Sequence, residues 1–145
     1  MALFKSVTPE TLNELSRNTM SECIGIEITE VGEDYLKGKM PVDSRTKQPF
    51  GILHGGASVT LAETLGSIAG VLSLDSEKEF CVGLDINANH VRSVHDGYVY
   101  GTARPVHIGT KTQVWEIRIE NEEGNLVSIS RLTLAVLPKK ESATK

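Results

Sequence analysis

Apolar positions recur along this chain with two distinct periods. From residue 80 to 89 the period is two: Phe80, Val82, Leu84, Ile86 and Ala88 share one face, with Gly83, Asp85, Asn87 and Asn89 on the other, the signature of a half-buried strand. Similar alternation predicts strands over residues 26–31, 35–41 and 98–107. Gln113, Trp115, Ile117 and Ile119 form the buried face of the next strand, and a last one runs to about residue 137. His95-Asp96-Gly97, Gly109 and Glu123-Gly124-Asn125 punctuate these strands as turns. Residues 55–74 break the alternation. They are rich in Gly, Ala and Leu, contain no proline, and predict one long helix. Thr8-Pro9-Glu10 supplies a cap, a first-turn proline and an acid, predicting a short helix to about Arg17 with Leu12 and Leu15 as its apolar contacts. A further helical turn is expected over residues 21–24.

The order helix, two strands, long helix, four strands predicts an α+β domain over residues 1–138, an antiparallel sheet curled around one central helix. One helix covers only one face of six strands, and this helix is apolar nearly all round, so self-association is expected. Residues 42–54 read as a polar connection. The tail at residues 139–145, KKESATK, reads as polar and disordered.

Composition then removes several classes of function. A formal net charge of -4 over 145 residues argues against a general nucleic-acid or membrane-surface binder. The long helix could span a bilayer by length alone. Its four glycines, three serines, two threonines and Glu63 make that expensive, so a buried core helix and no membrane are expected. Cys23 and Cys81 lack metal-ligand spacing and read as reduced thiols. With no charged leader followed by an apolar run, a cytoplasmic protein is expected. No metal and no cofactor are called for. GxSxG, HExxH and paired CxxC are absent from the sequence.

The candidate chemistry concentrates on the long helix. Glu63 is its one charge, and the residues a turn away, Val59, Thr60, Gly66 and Ser67, include no Lys or Arg. Such a carboxylate is expected to do chemistry, with desolvation raising its pKa toward that of a general base. At the helix start, the Gly55 N–H is one of the unpaired donors at the positive end of the dipole. Gly55-Gly56 leaves room for a carbonyl oxygen to approach it. Glu63 lies roughly 12 Å further by helix rise. The two meet on one substrate only if the loop folds back, or if the carboxylate comes from a second, antiparallel copy of the helix.

The run KQPFGILHGGASVTLAETLGSIAG resembles the active-site loop and central helix of the hotdog-fold thioesterases, in the phenylacetyl-CoA-thioesterase-like branch, and the similarity extends over about residues 8–137. MPVDSRTKQPFG, VGLDINANHVRS and QVWEI are similar to the menaquinone-biosynthesis aryl-CoA hydrolases, and AETLG follows the enterobactin-type proofreading enzymes. The resemblance implies a hotdog fold and hydrolysis of acyl-CoA, in particular aromatic thioesters such as 1,4-dihydroxy-2-naphthoyl-CoA. Glu63 matches the catalytic nucleophile or general base. Gln48 and the Gly55 N–H match the groups that polarise the thioester carbonyl, and His54 matches a residue near the carbonyl and leaving group. Thr64 and Ser67 match hydroxyls beside the carboxylate, and Ile68 is expected to shape the acyl pocket. Coenzyme A is implied across a subunit boundary, against Gly83, Leu84, Asp85 and Ile86, then His90, Val91, Arg92 and Ser93, then His107, Ile108, Gly109, Thr110, Lys111 and Thr112. A homo-oligomer is implied, a dimer or a tetramer of two dimers. From the residues themselves, His90, Arg92, Arg104, His107 and Lys111 are expected to form a basic cluster for the nucleotide phosphates.

Other readings remain beside this one. Carrier-protein thioesters or medium-chain acyl-CoA are alternative substrates. A hydroxyacyl-thioester dehydratase is disfavoured because its loop histidine precedes the helix acid by more than His54 does. A non-catalytic acyl-CoA-binding module lacks the helix carboxylate, and Glu63 is present.

Overall fold

The computed structural model describes residues 2–141. Its elements are α1 (Pro9–Leu15), α2 (Met20–Cys23), β1 (Glu27–Val31), β2 (Leu36–Pro41), α3 (Gly55–Leu72), β3 (Glu79–His90), β4 (Tyr98–Ile108), β5 (Thr112–Glu120) and β6 (Leu126–Pro138). The six strands form one antiparallel sheet in the order β1-β2-β4-β5-β6-β3, and α3 lies against its inner face. The α+β architecture follows the order expected from the hydrophobic pattern. Disorder is expected of residues 139–145; the Lys139 N–H is held by the Lys78 carbonyl, and residues 142–145 lie outside the described residues.

α3 buries Leu61, Ala62, Leu65, Gly66, Ala69 and Gly70, the 3/4-spaced stripe of a helix seated on a sheet. Glycines make the seat close. The Leu65 methyls occupy the space above Gly38 and Gly101, and Leu132 and Leu134 occupy the space beside Gly66 and Gly70. The C-terminal end is pinned by a polar relay. Trp115 Nε1 donates to Gln113 Oε1 at 2.9 Å, Gln113 Nε2 donates to Ser73 Oγ at 2.8 Å, and Ser73 donates to the Gly70 carbonyl at 2.7 Å. Gln113 and Trp115 are fully buried, so each polar atom depends on that relay.

Two local expectations are corrected. Leu15 is exposed, because α1 ends there and docks through Leu12 and through Asn13, whose amide bonds both the N–H and the carbonyl of Ile28. The period-two face of β3 is interrupted by a bulge between Gly83 and Asp85. The extra residue switches faces, so Phe80, Val82 and Leu84 project outward, at 41%, 43% and 62% exposure, and Ile86 and His90 turn inward with the face that pairs Leu132 and Ser128. Residues 42–54 are a folded loop. Buried Thr46 donates to the Pro41 carbonyl and its own carbonyl takes the His54 N–H, while Leu53 N–H reaches Val94.

Asp43 opens this loop and takes hydrogen bonds from the Arg45 guanidinium and backbone N–H. The Arg45 side chain beside it holds the Asp43 carboxyl below its ordinary value. A depressed carboxyl pKa contributes stability above the unfolded-state pKa of about 3.9, and that contribution disappears as pH falls through the folded value. Amide hydrogen exchange at Lys47 and His54 should therefore accelerate, relative to the rest of the chain, as pH drops below about 4. Asp43→Ala should show the faster loop exchange already at pH 7. Gln113→Ala should cost about 2–4 kcal/mol by urea unfolding, because Trp115 N–H and the Ser73 hydroxyl lose their partner in the core. A change below about 1 kcal/mol would mean the relay does not hold α3.

Candidate active site

The helix mouth is built by His54. It is the N-cap of α3, with extended backbone, and its Nδ1 accepts the Gly56 N–H at 2.8 Å. Its carbonyl accepts the Ala57 and Ser58 N–H groups. Three of the four first-turn donors are thus satisfied. Gly55 N–H has no hydrogen-bond partner among the described residues, and it sits at the positive end of an 18-residue helix dipole.

Gln48 stands beside it. The Phe50 N–H donates to Gln48 Oε1, which commits the oxygen and leaves the Nε2 amide as the free donor. Gln48 and Gly55 line one cleft of about 390 Å³, with Ser58, His90, Arg92 and Ser93 among its other walls. A Cβ on Gly55 would lie 3.0 Å from His90 Nε2, so the absence of a side chain is what lets the imidazole close over the helix mouth. His54 opens instead on a separate groove with Met20, Arg45 and Thr60. With Nδ1 bound to Gly56 N–H, its neutral ring carries the proton on Nε2.

Glu63 is elsewhere in the chain. It is half-buried on the α3 flank, with no ion pair among the described residues. Oε1 lies 2.9 Å from where a Cβ on Gly83 would be. Gly83 thus vacates the sheet surface on which the carboxylate rests. Thr64 and Ser67 are half-buried beside it on the same helix, and Ile68 is partly buried against the core cluster. A single chain therefore presents the carbonyl donors and the carboxylate in two places.

The expected coenzyme A contacts are also divided. Residues 90–93 continue β3 past its end, held by Val91 and Arg92 N–H groups on the Val127 carbonyl. Residues 107–112 form the β4–β5 turn, with Gly109 N–H on the Thr112 carbonyl and Lys111 accepting from Val136. His90 pairs with Ser128 and Thr112 with Ala135, so the two segments lie roughly 20–25 Å apart along the sheet. Gly83, Leu84, Asp85 and Ile86 lie between them, at the bulge. The single basic cluster expected from the sequence is corrected in the same way. Only His90 and Arg92 share the cleft. Arg104 lies over the Tyr35 ring at 4.7 Å and faces Asp34 at 3.8 Å; its strand partner Glu116 belongs to the outer face.

Four wall residues escape the sequence reading: Ile52, Leu53, Ser58 and Val127. Ser58 follows Gly55 by three positions and could have been found from helical spacing. Val127 reaches the cleft only through strand pairing, for which the linear sequence carries no signal. Among the described residues, no three His, Cys, Asp or Glu side chains converge to hold a metal ion. The arrangement is suited to polarising a carbonyl: Gly55, with its free helix N-terminal N–H, and Gln48, whose amide nitrogen is its uncommitted donor, line one cleft.

Comparison with known proteins agrees with that chemistry. The family model described as Thioesterase superfamily matches residues 50–128, from the loop to the first residues of β6. The 1,4-dihydroxy-2-naphthoyl-CoA hydrolase of Escherichia coli is 51% identical over 133 residues, 92% of this chain and 97% of that protein. The proofreading thioesterase EntH of Cronobacter turicensis is 49% identical over 133 residues, covering 92% and 96%. The crystal structure of a thioesterase from Haemophilus influenzae superposes with a TM-score of 0.93 at 51% identity, over 99% of this chain and 100% of that one. The curled six-stranded sheet around α3 is the hotdog fold, and this chain belongs to the thioesterase superfamily as a thioester hydrolase.

Proposed function

We propose that this enzyme hydrolyses aromatic acyl-CoA thioesters, of which 1,4-dihydroxy-2-naphthoyl-CoA is the leading candidate, at a site shared by two copies of the chain. The observation that carries the reading is the unpaired Gly55 N–H beside the Gln48 amide, with the Glu63 carboxylate out of reach in the same chain. The thioester carbonyl oxygen accepts from Gly55 N–H and Gln48 Nε2, which stabilise the negative charge that develops there. Glu63 of the partner subunit either attacks the carbonyl carbon, forming a mixed anhydride that water then cleaves to the free acid and the free carboxylate, or deprotonates the water that attacks the carbonyl directly. The C–S bond breaks, and the electron pair leaves on sulfur. A thiolate needs little acid assistance, in keeping with a site that has no acid–base triad.

The edge of the sheet supports the pairing. Among the described residues, β3 is a 12-residue strand hydrogen-bonded only to β6, and its other edge offers a row of unpaired backbone groups. Antiparallel pairing of β3 with its copy, centred near Ile86 and Asn87, would bring the partner's Gly83, with the partner's Glu63 upon it, opposite His90 and Gly55. The same operation would carry residues 107–112 of one copy toward residues 90–93 of the other, joining the two halves of a coenzyme A site that is split in one chain. Thr64, Ser67 and Ile68 of the partner subunit would then flank the acyl group beside its carboxylate, while His54 acts on the scissile bond through the helix mouth that it caps. The outward apolar patch of Phe80, Val82, Leu84 and Leu137 supports a second contact, dimer on dimer.

A second substrate reading, an aryl thioester on a carrier protein, is favoured by the similarity to the EntH proofreading enzyme and by Thr64 after Glu63. Thiol release from benzoyl-CoA, dihydroxynaphthoyl-CoA, straight-chain acyl-CoAs and an aryl-loaded carrier protein ranks these substrates by kcat/KM, with dihydroxynaphthoyl-CoA expected first. Glu63→Gln should lower kcat at least about a hundredfold with little change in KM. Gly83→Ala, whose Cβ displaces the carboxylate, should lower kcat about tenfold without loss of fold. Full activity in Glu63→Gln would contradict the mechanism. Tight acyl-CoA binding without turnover on the whole panel would make the protein a binding module.

A further inference from the structure

Resemblance groups His90 with the residues that contact coenzyme A. Its imidazole points to the other end of the substrate. Nε2 stands 3.0 Å from the position of a Cβ on Gly55, ahead of Cε1 at 3.3 Å and Cδ2 at 3.4 Å, so the ring meets the helix mouth nitrogen-first. Backbone geometry then limits Nε2 to within about 5.5 Å of the Gly55 nitrogen. Two donors at that separation can share one oxygen, since each N–H···O bond spans about 2.9 Å. His90 also lines the same cleft as Gln48.

The strand is built to aim this side chain. Without the extra residue at the Gly83/Asp85 bulge, His90 would fall on the outer face. Its cross-strand partner is Ser128, which is fully buried and whose hydroxyl has no hydrogen-bond partner among the described residues. Directly opposed side chains on one sheet face lie close enough to interact. A Ser128 hydroxyl turned onto His90 Nδ1 leaves the proton of the neutral ring on Nε2, the nitrogen that faces Gly55.

We propose that His90 is a catalytic residue that donates Nε2–H to the thioester carbonyl oxygen, beside the Gly55 N–H and the Gln48 amide, with Ser128 as its positioning residue. The proposal rests on thioester hydrolysis at the α3 mouth. No proton is transferred in this role. The hydrogen bond strengthens as the carbonyl oxygen gains negative charge, and relaxes when the carbonyl re-forms and the C–S bond breaks.

The test compares benzoyl-CoA with benzoyl-pantetheine, which has the same thioester and no nucleotide. His90→Ala should lower kcat roughly thirty- to a hundredfold, by the same factor on both substrates. His90→Gln, whose amide nitrogen reaches near the Nε2 position, should recover at least about tenfold of that loss. His90→Leu fills the space without a donor and replaces the Ala variant should that one fail to fold. Ser128→Ala should lower kcat a few-fold on both substrates at unchanged melting temperature, since it removes a hydroxyl that packing does not use. A His90→Ala defect confined to KM for benzoyl-CoA, and absent with benzoyl-pantetheine, would assign the imidazole to the nucleotide and overturn the proposal. So would unchanged kinetics. Wild-type enzyme inactive on both substrates, and on the acyl-CoA panel, would instead defeat the hydrolase reading from which the proposal starts.

Discussion

The close seating of α3 on the inner face of the sheet sets the position of everything else in this molecule. Gly38 and Gly101 on the strands, and Gly66 and Gly70 on the helix, remove the side chains that would hold the two layers apart, and leucine methyls fill the gap. At native packing density such a contact has little slack. The Trp115–Gln113–Ser73 relay fixes the far end of the helix at the same time. An axis held at this depth and along this direction delivers the first turn to the loop of residues 42–54 and the Glu63 flank to β3.

Charge placement follows from that geometry. His54 takes up three of the four first-turn donors through its ring and its carbonyl, which leaves the dipole's free N–H on Gly55 alone. Gln48, on the same cleft, has its oxygen committed to Phe50 and keeps its amide nitrogen as the free donor. The carboxylate lies on the other side of the problem, resting over Gly83 on the sheet's edge strand. A strand that is both the wall beneath Glu63 and an unpaired edge links the completeness of the active site to association. On this account the dimer supplies the missing reactive group as well as stability.

The element order was readable from the sequence because the two hydrophobic periods are seldom ambiguous here. The Gly/Ala/Leu run reads as a core helix once its glycines, hydroxyls and Glu63 are weighed against a membrane span, and Gln113, Trp115, Ile117 and Ile119 are all fully buried as their spacing implied. The site was half readable. Gly55 and Glu63 stood out by residue type and position, and Gln48 and His54 only through family resemblance. The β3 bulge was hidden, because alternation across Phe80–Ala88 looks unbroken while an inserted residue reverses which side each letter faces. Gly83 and Asp85 gave a cue in retrospect, since a glycine inside a strand often marks a bulge or a close approach. Arg104 and Leu15 went astray for a common reason. Their partners, Asp34 with Tyr35 in one case and solvent in the other, are set by tertiary contacts beyond the reach of local pattern.

The central claim, that each active site takes its donors from one copy and its carboxylate from the other, is tested most directly by subunit mixing. Glu63→Gln and Gln48→Ala proteins, each impaired alone, would be unfolded together, refolded, and assayed for thioester hydrolysis. Each mixed dimer then holds one intact site and one doubly impaired site. Activity should rise well above both parents, toward about a quarter of wild type for random pairing. Activity that stays at the average of the two parents, with mixed dimers demonstrated by differential tagging, would place both groups in the same subunit's site and contradict the account.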